Sequence, residues 1–346
     1  MKDHLRIAII GAGRFTQNRS LPNFLKIPGV EIKAIANRRL ETALEVAQKF
    51  EVVEATDDWR SLVERDDIDA IFVGTPPNVH MEITVAAMRA GKDVLSQTRM
   101  ARDLNEARQM LQVSLETGRK AALARPSGYI GAGRYVKHLL SEGYVGNVRQ
   151  VFCYRMIPDY TDVSLPIGRR QDPDIYGELN CLYLGYCWDV LQDWFGEPER
   201  VFAQYSSFTP QRLSAPGGAM ITVGTPEAVT AIAEMRSGAH ITSIQTGVAH
   251  FGNDRIEIYG DEGTLVCGPS GINLTGARKG GDALITIDVP DDYRDEWSVE
   301  NDFVRMVRGE IDEMFLSFED GLKNMAYLDG CYRSARDGRW VELATD

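Results

Sequence analysis

The stretch LRIAIIGAGRF, residues 5–15, decides the fold. Its first six residues are apolar except for Arg6, which is typical of a strand buried inside a parallel sheet. The strand runs into Gly11, Ala12 and Gly13, where glycine permits a tight turn and a close approach of the backbone to a pyrophosphate. A helix that starts after such a turn presents backbone N–H groups and a positive dipole end to that anion. The stretch predicts the start of a dinucleotide-binding domain.

One glycine of the usual G-x-G-x-x-G fingerprint is missing, because position 16 is Thr16. The motif alone therefore leaves open a tight turn that binds no ligand. Its place directly after a buried strand favours the dinucleotide site. The cofactor-binding residues predicted from this stretch are Gly11, Ala12, Gly13, Arg14 and Phe15.

Strand and helix patterns alternate along the first 124 residues. Strands are predicted at 30–36, 68–73, 93–96 and 120–124, and helices at 40–50, 79–90 and about 104–116. This alternation predicts a doubly wound parallel sheet, on which ligands lie at the carboxyl ends of the strands. The residues near these ends that we assign to cofactor binding are Asn37, Arg38, Arg39, Thr75, Pro76, Asn78, His80 and Gln97.

The residue after the second predicted strand bears on the choice of cofactor. NAD-binding domains usually have an acid there, which binds the ribose 2′-hydroxyl and repels a 2′-phosphate. Here that residue is Asn37, and Arg38 and Arg39 follow it. A neutral amide removes the repulsion and an arginine can bind the phosphate, so we predict NADP(H) in preference to NAD(H). The alternative is that both arginines only form the solvated start of a helix.

After Arg125 the pattern changes to consecutive strands with period-two alternation. Strands are predicted at 148–156, 200–207, 229–236, 240–246, 255–259, 264–267 and 284–289, and helices at about 131–142, 177–195, 299–308 and 318–336. Strands without intervening helices predict an open, mainly antiparallel sheet. The predicted domains are an α/β Rossmann domain at 1–124 and an α+β domain for substrate binding and oligomerisation at 125–346.

Composition excludes several functions. The formal net charge of −12 over 346 residues argues against a nucleic-acid partner. Five cysteines without C-x-x-C spacing and five histidines without H-x-x-x-H spacing predict a reducing compartment and no metal site. No signal-peptide pattern precedes the first strand, and no apolar run approaches the roughly 20 residues that span a bilayer. We therefore expect a cytoplasmic protein that does not bind membranes.

An open sheet has two faces, and one layer of helices can cover only one of them. A bare apolar face is uncommon on soluble monomers, so the sequence predicts a homodimer or homotetramer formed through the C-terminal sheet. The face that we assign to this contact is Val229, Ala231, Ala233 and Met235, with neighbours in 241–246.

Motifs spread over the whole chain carry a family resemblance. They are GAGRF at 11–15, TPPNVHMEITVAAMRAGKDVL at 75–95, LLSEGYVGNV at 139–148, IEIYGDEGTL at 256–265 and SFEDGLKNMAYLDGCYRSARDGRWVEL at 317–343. In these motifs the chain resembles the Gfo/Idh/MocA family, named for glucose–fructose oxidoreductase and inositol dehydrogenase. The resemblance implies a Rossmann domain, a C-terminal open sheet that is often buried in an oligomer, and a nicotinamide cofactor. It also implies hydride transfer at a secondary alcohol of a sugar, cyclitol or related cyclic molecule.

The chain departs from the family pattern where the chemistry occurs. The family reads C-E-K-P where this chain has SQTR at 96–99, so the lysine beside the reacting hydroxyl is replaced by Thr98. The family's aspartate, histidine and second aspartate correspond to Leu182, Tyr186 and Asp189, and their i, i+4, i+7 spacing predicts one helical face. Some dehydrogenases of the family have tyrosine where others have histidine. The resemblance therefore assigns catalysis to Tyr186 and Thr98.

Alcohol oxidation needs a group that takes the hydroxyl proton, and ketone reduction needs a donor. A tyrosine can do both, and a nearby cation would favour its ionised form. The alternatives are that Tyr186 only packs in a helix and that Thr98 only lines the cofactor. The family resemblance also points to the segment at 157–176 as an enclosure for substrate. The predicted substrate residues are Arg125, Tyr160, Arg170, Asp172 and Asp189.

Three functions remain open at this stage. The prediction is an NADP-dependent oxidoreductase with an altered site, which Tyr186, Asp189 and a full-length second domain favour. Loss of the family's lysine and first aspartate favours an alternative, a catalytically impaired NADP-binding sensor or regulatory protein. A redox-neutral lyase or glycosidase that uses bound nicotinamide lies between the two.

Overall fold

The computed structural model describes residues 4–124, 131–268, 273–294 and 297–343. The chain divides into two compact units, Met1–Arg125 with Ser298–Leu322 and Pro126–Trp297 with Lys323–Asp346. The sequence-based boundary after residue 124 instead treats the domains as two consecutive segments. The segment at 298–322 joins the first unit because it extends the edge of that unit's sheet. There the Leu123 N–H donates to the Leu316 carbonyl at 2.9 Å.

The first unit contains a six-stranded parallel sheet, which confirms the predicted Rossmann architecture. Its strands are β1 Leu5–Ile10, β2 Val30–Ala36, β3 Glu54–Thr56, β4 Ala70–Val73, β5 Asp93–Gln97 and β6 Ala121–Ala124. Its first helices are a π-helical segment at Thr16–Ser20, α1 Leu21–Phe24, α2 Leu40–Lys49, α3 Trp59–Val63, α4 His80–Arg89 and α5 Leu104–Thr117. The strand order is β3-β2-β1-β4-β5-β6, so the direction of winding reverses between β1 and β4. Ligands of such folds bind at this reversal.

The second unit contains a nine-stranded sheet within the described residues. Its elements, in chain order, are α6 Gly133–Ser141, β7 Val148–Met156, α7 Pro173–Tyr176, α8 Leu184–Phe195, β8 Pro198–Ser206, β9 Gln211–Leu213, β10 Met220–Thr222, β11 Ala228–Met235, β12 His240–Thr246, β13 Arg255–Gly260, β14 Gly263–Cys267, β15 Leu274–Arg278 and β16 Ile285–Thr286. Then follow α9 Val299–Arg308 in the first unit, α10 Phe318–Asp337 across the unit boundary, and β17 Val341–Glu342. The order is β16-β15-β14-β13-β7-β12-β11-β8-β17, and among these described strands only β7 and β12 pair in parallel.

Two predicted elements are wrong in extent. The strand predicted at 284–289 is reduced to Ile285–Thr286. The helix predicted at 177–195 begins only at Leu184, because Gly177 and Leu182 have φ angles of 77° and 48°. These backbone angles are incompatible with a right-handed helix. Leu182 therefore does not share a helical face with Tyr186 and Asp189.

The sheet face predicted to be open is the buried one. Val229, Ala231, Ala233 and Met235 are at most 2% exposed within the single chain. Helix α10 packs on this side, where the Ser334 hydroxyl accepts from the Ala203 N–H at 2.9 Å. The half-exposed residues lie on the alternate positions of the same strands. They include Phe152, Tyr154, Ile232, Thr242 and Ile244.

Candidate functional site

The glycine turn touches the end of the neighbouring strand. A Cβ atom on Gly11, whose φ is 91°, would lie 2.5 Å from the Thr75 nitrogen. A Cβ atom on Gly74 would lie 2.4 Å from the Gly11 carbonyl oxygen. Glycine is therefore required at both positions for the carboxyl ends of β1 and β4 to meet at the reversal of strand order.

Thr16 and Gly13 show how the turn works without the third glycine. Thr16 is fully buried, and its hydroxyl donates to the Gly11 carbonyl at 3.0 Å, so this side chain stabilises the turn. Gly13 is exposed, and a Cβ atom on it would meet nothing within 4 Å. Protein packing does not require glycine at position 13. The missing side chain instead leaves the backbone open to a closely approaching ligand.

Asn37 contacts the turn directly, because its side-chain oxygen accepts from the Ala12 N–H at 2.8 Å. Three arginines lie around this contact in the sequence, and all three are exposed. Arg14, Arg38 and Arg39 form no ion pair with any residue in the described parts of the chain. Their charges are therefore available to an anionic ligand.

The ends of β4 and β5 are joined by a buried histidine. His80 is 1% exposed, and its Nε2 lies 2.6 Å from the Thr75 carbonyl while its Nδ1 lies 3.0 Å from that of Arg99. Burial lowers the pKa of His80, although the carbonyls favour its charged form. The enclosed His80 ring would affect a bound dinucleotide by holding the loops of Thr75 and Arg99 in position. It would not touch the cofactor directly.

The other predicted residues of this edge surround that junction. Thr75, Pro76, Gln97 and Thr98 are half-buried, and Asn78 is exposed. The Thr75 hydroxyl and the Gln97 amide nitrogen are buried and have no hydrogen-bond partner among the residues that the structure describes. The Thr98–Arg99 peptide bond is cis. The open backbone at Gly13, the exposed arginines and these polar atoms together fit a nicotinamide dinucleotide.

In the second unit, a phenol lies between two guanidinium groups. The Tyr183 ring has Arg155 and Arg170 over it, each at 4.5 Å from the ring centroid. Arg170 also donates through Nη1 to the Tyr183 hydroxyl. Arg155 forms an ion pair with Asp254, whose other oxygen accepts from the Met156 N–H at 2.6 Å. The predicted catalytic residue Tyr186 adjoins this cluster, with its ring 5.8 Å from that of Tyr183.

The remaining predicted substrate residues have protein contacts of their own. Asp189 is 4% exposed and accepts from the Asn324 amide. Tyr160 is buried against the backbone of Gly247, and Asp172 caps α7 by accepting from the Asp174 N–H at 3.0 Å. The prediction for Arg125 falls outside the described residues. Arg170 lies near Tyr186, since both contact Tyr183, and Asp189 follows Tyr186 by three residues in α8.

Sequence reasoning missed Tyr183 and Arg155. Arg155 follows Val151 and Cys153 at two-residue spacing, so its position on a strand face with buried neighbours was a readable signal. Tyr183 directly precedes α8, and no local pattern pointed to it. Its neighbours come from β7 and the segment at 169–171, which lie further back in the sequence.

Neither a metal-binding cluster nor a membrane-spanning helix is present in the described residues. No group of three or more His, Cys, Asp or Glu residues there could hold a metal ion. None of the described helices combines the length and the apolar character that a membrane crossing demands.

These features define a dinucleotide-binding Rossmann protein with an appended mixed-sheet unit. The family model described as "Oxidoreductase family, NAD-binding Rossmann fold" matches residues 5–124, and the "GFO/IDH/MocA C-terminal domain" model matches residues 134–266. The chain belongs to the Gfo/Idh/MocA family of NAD(P)-dependent oxidoreductases, as its motifs predicted.

Two relatives and one solved structure illustrate the similarity. 4-Carboxy-2-hydroxymuconate-6-semialdehyde dehydrogenase of Sphingobium sp. is 32% identical over 50% of this chain and 51% of its own length. Levoglucosan dehydrogenase of Pseudarthrobacter phenanthrenivorans is 27% identical over 76% of this chain and 73% of its own. A levoglucosan dehydrogenase complex with NADH and L-sorbose has a TM-score of 0.84 at 22% identity, with 99% of each chain covered. The match thus spans only about half of the first relative.

Proposed function

We propose that this protein is an NADP-dependent oxidoreductase that interconverts a secondary alcohol and a ketone on a sugar, cyclitol or related cyclic molecule. The observation that carries the proposal is the glycine turn with Asn37 bound to it and three nearby arginines that form no ion pair within the described ranges. The sugar relatives support the substrate class, since levoglucosan dehydrogenase is named for a sugar derivative. Because the five cysteines are free thiols, the proposal places the protein in the cytoplasm.

Bound nicotinamide would supply or accept the hydride. The residues that would hold the dinucleotide are Gly11–Arg14 at the pyrophosphate and Asn37–Arg39 at the ribose. Tyr186 would donate the proton to the forming alkoxide in reduction and take it back in oxidation. Thr98 would line the cofactor or the substrate, and the reaction would not require a proton from its hydroxyl.

A screen of NADPH consumption tests the proposal. Keto-sugars, inososes and cyclic diketones are the substrates to offer, with absorbance at the nicotinamide band as the readout. We expect turnover of at least one of them with NADPH. If NADPH binds but no ketone or alcohol turns over, the protein is instead a sensor or regulatory protein. That second function is favoured by Leu182, a 2% exposed apolar residue at the family's aspartate position.

Cofactor preference is a separate prediction. Charge-assisted contacts of Arg38 or Arg39 to a 2′-phosphate contribute about 1.5–3 kcal/mol, so NADPH should bind about tenfold to a hundredfold more tightly than NADH. Asn37→Asp keeps the acceptor for the Ala12 N–H but adds a negative charge, and it should abolish this preference. Calorimetric titration of both cofactors measures the effect.

The matched control for this prediction is Arg89→Gln. Arg89 is equally exposed but lies in the last turn of α4, at the opposite edge of the sheet. This variant should leave both affinities unchanged, whereas Arg38→Gln and Arg39→Gln should weaken NADPH alone. Equal affinity of the native protein for NADH and NADPH would refute the preference.

We also propose a homodimer or homotetramer formed through the C-terminal sheet. The contact face is the half-exposed one, with Phe152, Tyr154, Ile232 and Ile244, since the opposite face is covered within the chain. Ile232→Glu should shift the sedimentation coefficient toward that of a monomer, because it places a charge on this apolar face. Val53→Glu, at a 95% exposed position outside this sheet, is the control. A native protein that sediments as a monomer at micromolar concentration contradicts the proposal.

A further inference from the structure

Arg170 is a half-buried cation, and its polar partner differs from that of Arg155, the other guanidinium over the Tyr183 ring. Arg155 pairs with the carboxylate of Asp254. Arg170 has a neutral phenol as its hydrogen-bond partner and forms no ion pair with a carboxylate within the described ranges. Asp172, two residues further on, accepts from the Asp174 N–H. Among the described residues, the Asp254 carboxylate thus pairs with Arg155 and not with Arg170.

The free edge of Arg170 has the geometry of an anion receptor. Its Nη1 atom is engaged by Tyr183, whereas Nε and Nη2 make no hydrogen bond to any residue that the structure describes. These two atoms form the side of a guanidinium that binds a carboxylate or phosphate through two parallel hydrogen bonds. The Tyr183 oxygen accepts from Arg170, so its own O–H is left to donate. Arg170 and Tyr183 thus offer three donors from one rigid pair.

The electrostatic surroundings of Arg170 agree with this geometry. Burial opposes its charge, but the phenol oxygens of Tyr183, Tyr186 and Tyr176 raise the pKa of Arg170, so it stays charged at every physiological pH. A partly buried charge without a counter-ion is costly, and binding an anion recovers that cost. A neutral sugar hydroxyl would leave the charge uncompensated.

We propose that Arg170, with Tyr183, binds an oxyanion of the substrate, so that the substrate is a sugar acid or a sugar phosphate and not a neutral sugar. This inference rests on the proposed function in one respect: it calls the bound anion a substrate. The anion site itself consists of residues of the second unit alone. Tyr186, beside the pair, would then face the part of the molecule next to its anionic group.

Calorimetric titration of the full chain with NADP+ present tests the inference. The probes are D-glucuronate for a carboxylate, D-glucose 6-phosphate for a phosphate, and D-glucose as the neutral control. We expect at least one anionic probe to bind about tenfold or more tightly than glucose, from the strength of charge-assisted hydrogen bonds. The anionic probe that binds more tightly shows whether the site prefers a carboxylate or a phosphate. If glucose binds as tightly as both anions, the inference is wrong.

Variants connect this affinity to Arg170. Arg170→Gln should weaken the preferred anion about 10- to 100-fold and leave glucose unchanged. Arg170→Lys keeps the charge but loses the two-donor edge, so its loss should be smaller. Arg169→Gln removes an adjacent exposed arginine and should change nothing. Native anion affinity in Arg170→Gln, or an equal loss in Arg169→Gln, overturns the inference.

Two further measurements separate this inference from folding and from the proposed function. Raising NaCl from 20 to 200 mM should weaken the anion but not glucose in the native protein, whether or not the variants fold. A salt-independent preference would count against Arg170. If the anion binds through Arg170 but NADPH is never consumed, the oxidoreductase proposal falls and this one stands. If Arg170→Gln reduces an anionic ketone at the native kcat/KM, the oxidoreductase proposal stands and this inference falls.

Discussion

Replacement of Tyr186 by phenylalanine is expected to lower kcat about 100- to 10,000-fold on an identified substrate, the usual contribution of general acid catalysis. Phenylalanine keeps the ring next to Tyr183, at a centroid distance of 5.8 Å, but has no proton to give to the alkoxide. NADPH affinity should not change, because the residues proposed to hold the dinucleotide belong to the other unit. Steady-state kinetics and calorimetry measure the two effects.

Two other variants show whether the loss comes from the proton. Tyr332→Phe removes a half-buried phenol that donates to Glu178 at 2.6 Å, and it should leave kcat unchanged. Thr98→Val removes a hydroxyl without an obligatory proton, so we expect a loss of only about tenfold. Native turnover in Tyr186→Phe would transfer the acid–base role to another group, of which the Tyr183 phenol is the nearest identified.

The largest expected effect on stability comes from a buried ion pair in the second unit. Glu227 and Arg212 have side chains 1% and 2% exposed, with Oε1 and Nη2 3.0 Å apart. The other carboxylate oxygen accepts from the N–H groups of Phe208 and Thr209, both at 2.7 Å. Arg212→Met leaves this carboxylate buried and unpaired, so it should cost about 3–5 kcal/mol in the free energy of unfolding. Thermal unfolding followed by circular dichroism would show a fall of roughly 6–20 °C.

A double-mutant cycle separates the pair from the loss of packing. Adding Glu227→Gln to Arg212→Met removes the stranded charge and keeps an acceptor for the two N–H groups, so part of the stability should return. Lys279→Met is the control, because its pair with Glu262 is exposed and 3.6 Å long. Such pairs contribute about 0–1 kcal/mol. The same loss in Lys279→Met and Arg212→Met would show that the buried pair has no special role.

Arg212 of this ion pair also contacts the segment at 157–176, which was predicted to enclose substrate. Arg212 donates through Nη1 to the Asp162 carbonyl at 2.9 Å and through Nη2 to that of Tyr160. It thereby anchors the chain eight to ten residues before Arg170. Weakened anion affinity in Arg212→Met would therefore reflect lost positioning, and Arg170 variants are the sharper test of the binding site.

The architecture and the family could both be predicted from local sequence patterns. Continuous apolar strands followed by helical periodicity predicted the parallel sheet, and Val30–Ala36 and His240–Thr246 were placed to the residue. These features are local, because a strand buried on both faces or on one face repeats its pattern within a few residues. Motifs along the whole chain predicted the family, which the family models then matched independently.

Tertiary packing determines which face of the second sheet is covered and what surrounds each site residue. The alternation at 228–235 shows that two faces differ, but α10 determines that Val229 and Ala231 are the buried ones. A positive φ at Leu182 delays the helix, which spacing alone had extended to include that residue. The position of Tyr183 between Arg155 and Arg170 joins residues from three separate segments. Such contacts depend on how distant parts of the chain pack, and no short-range periodicity encodes them.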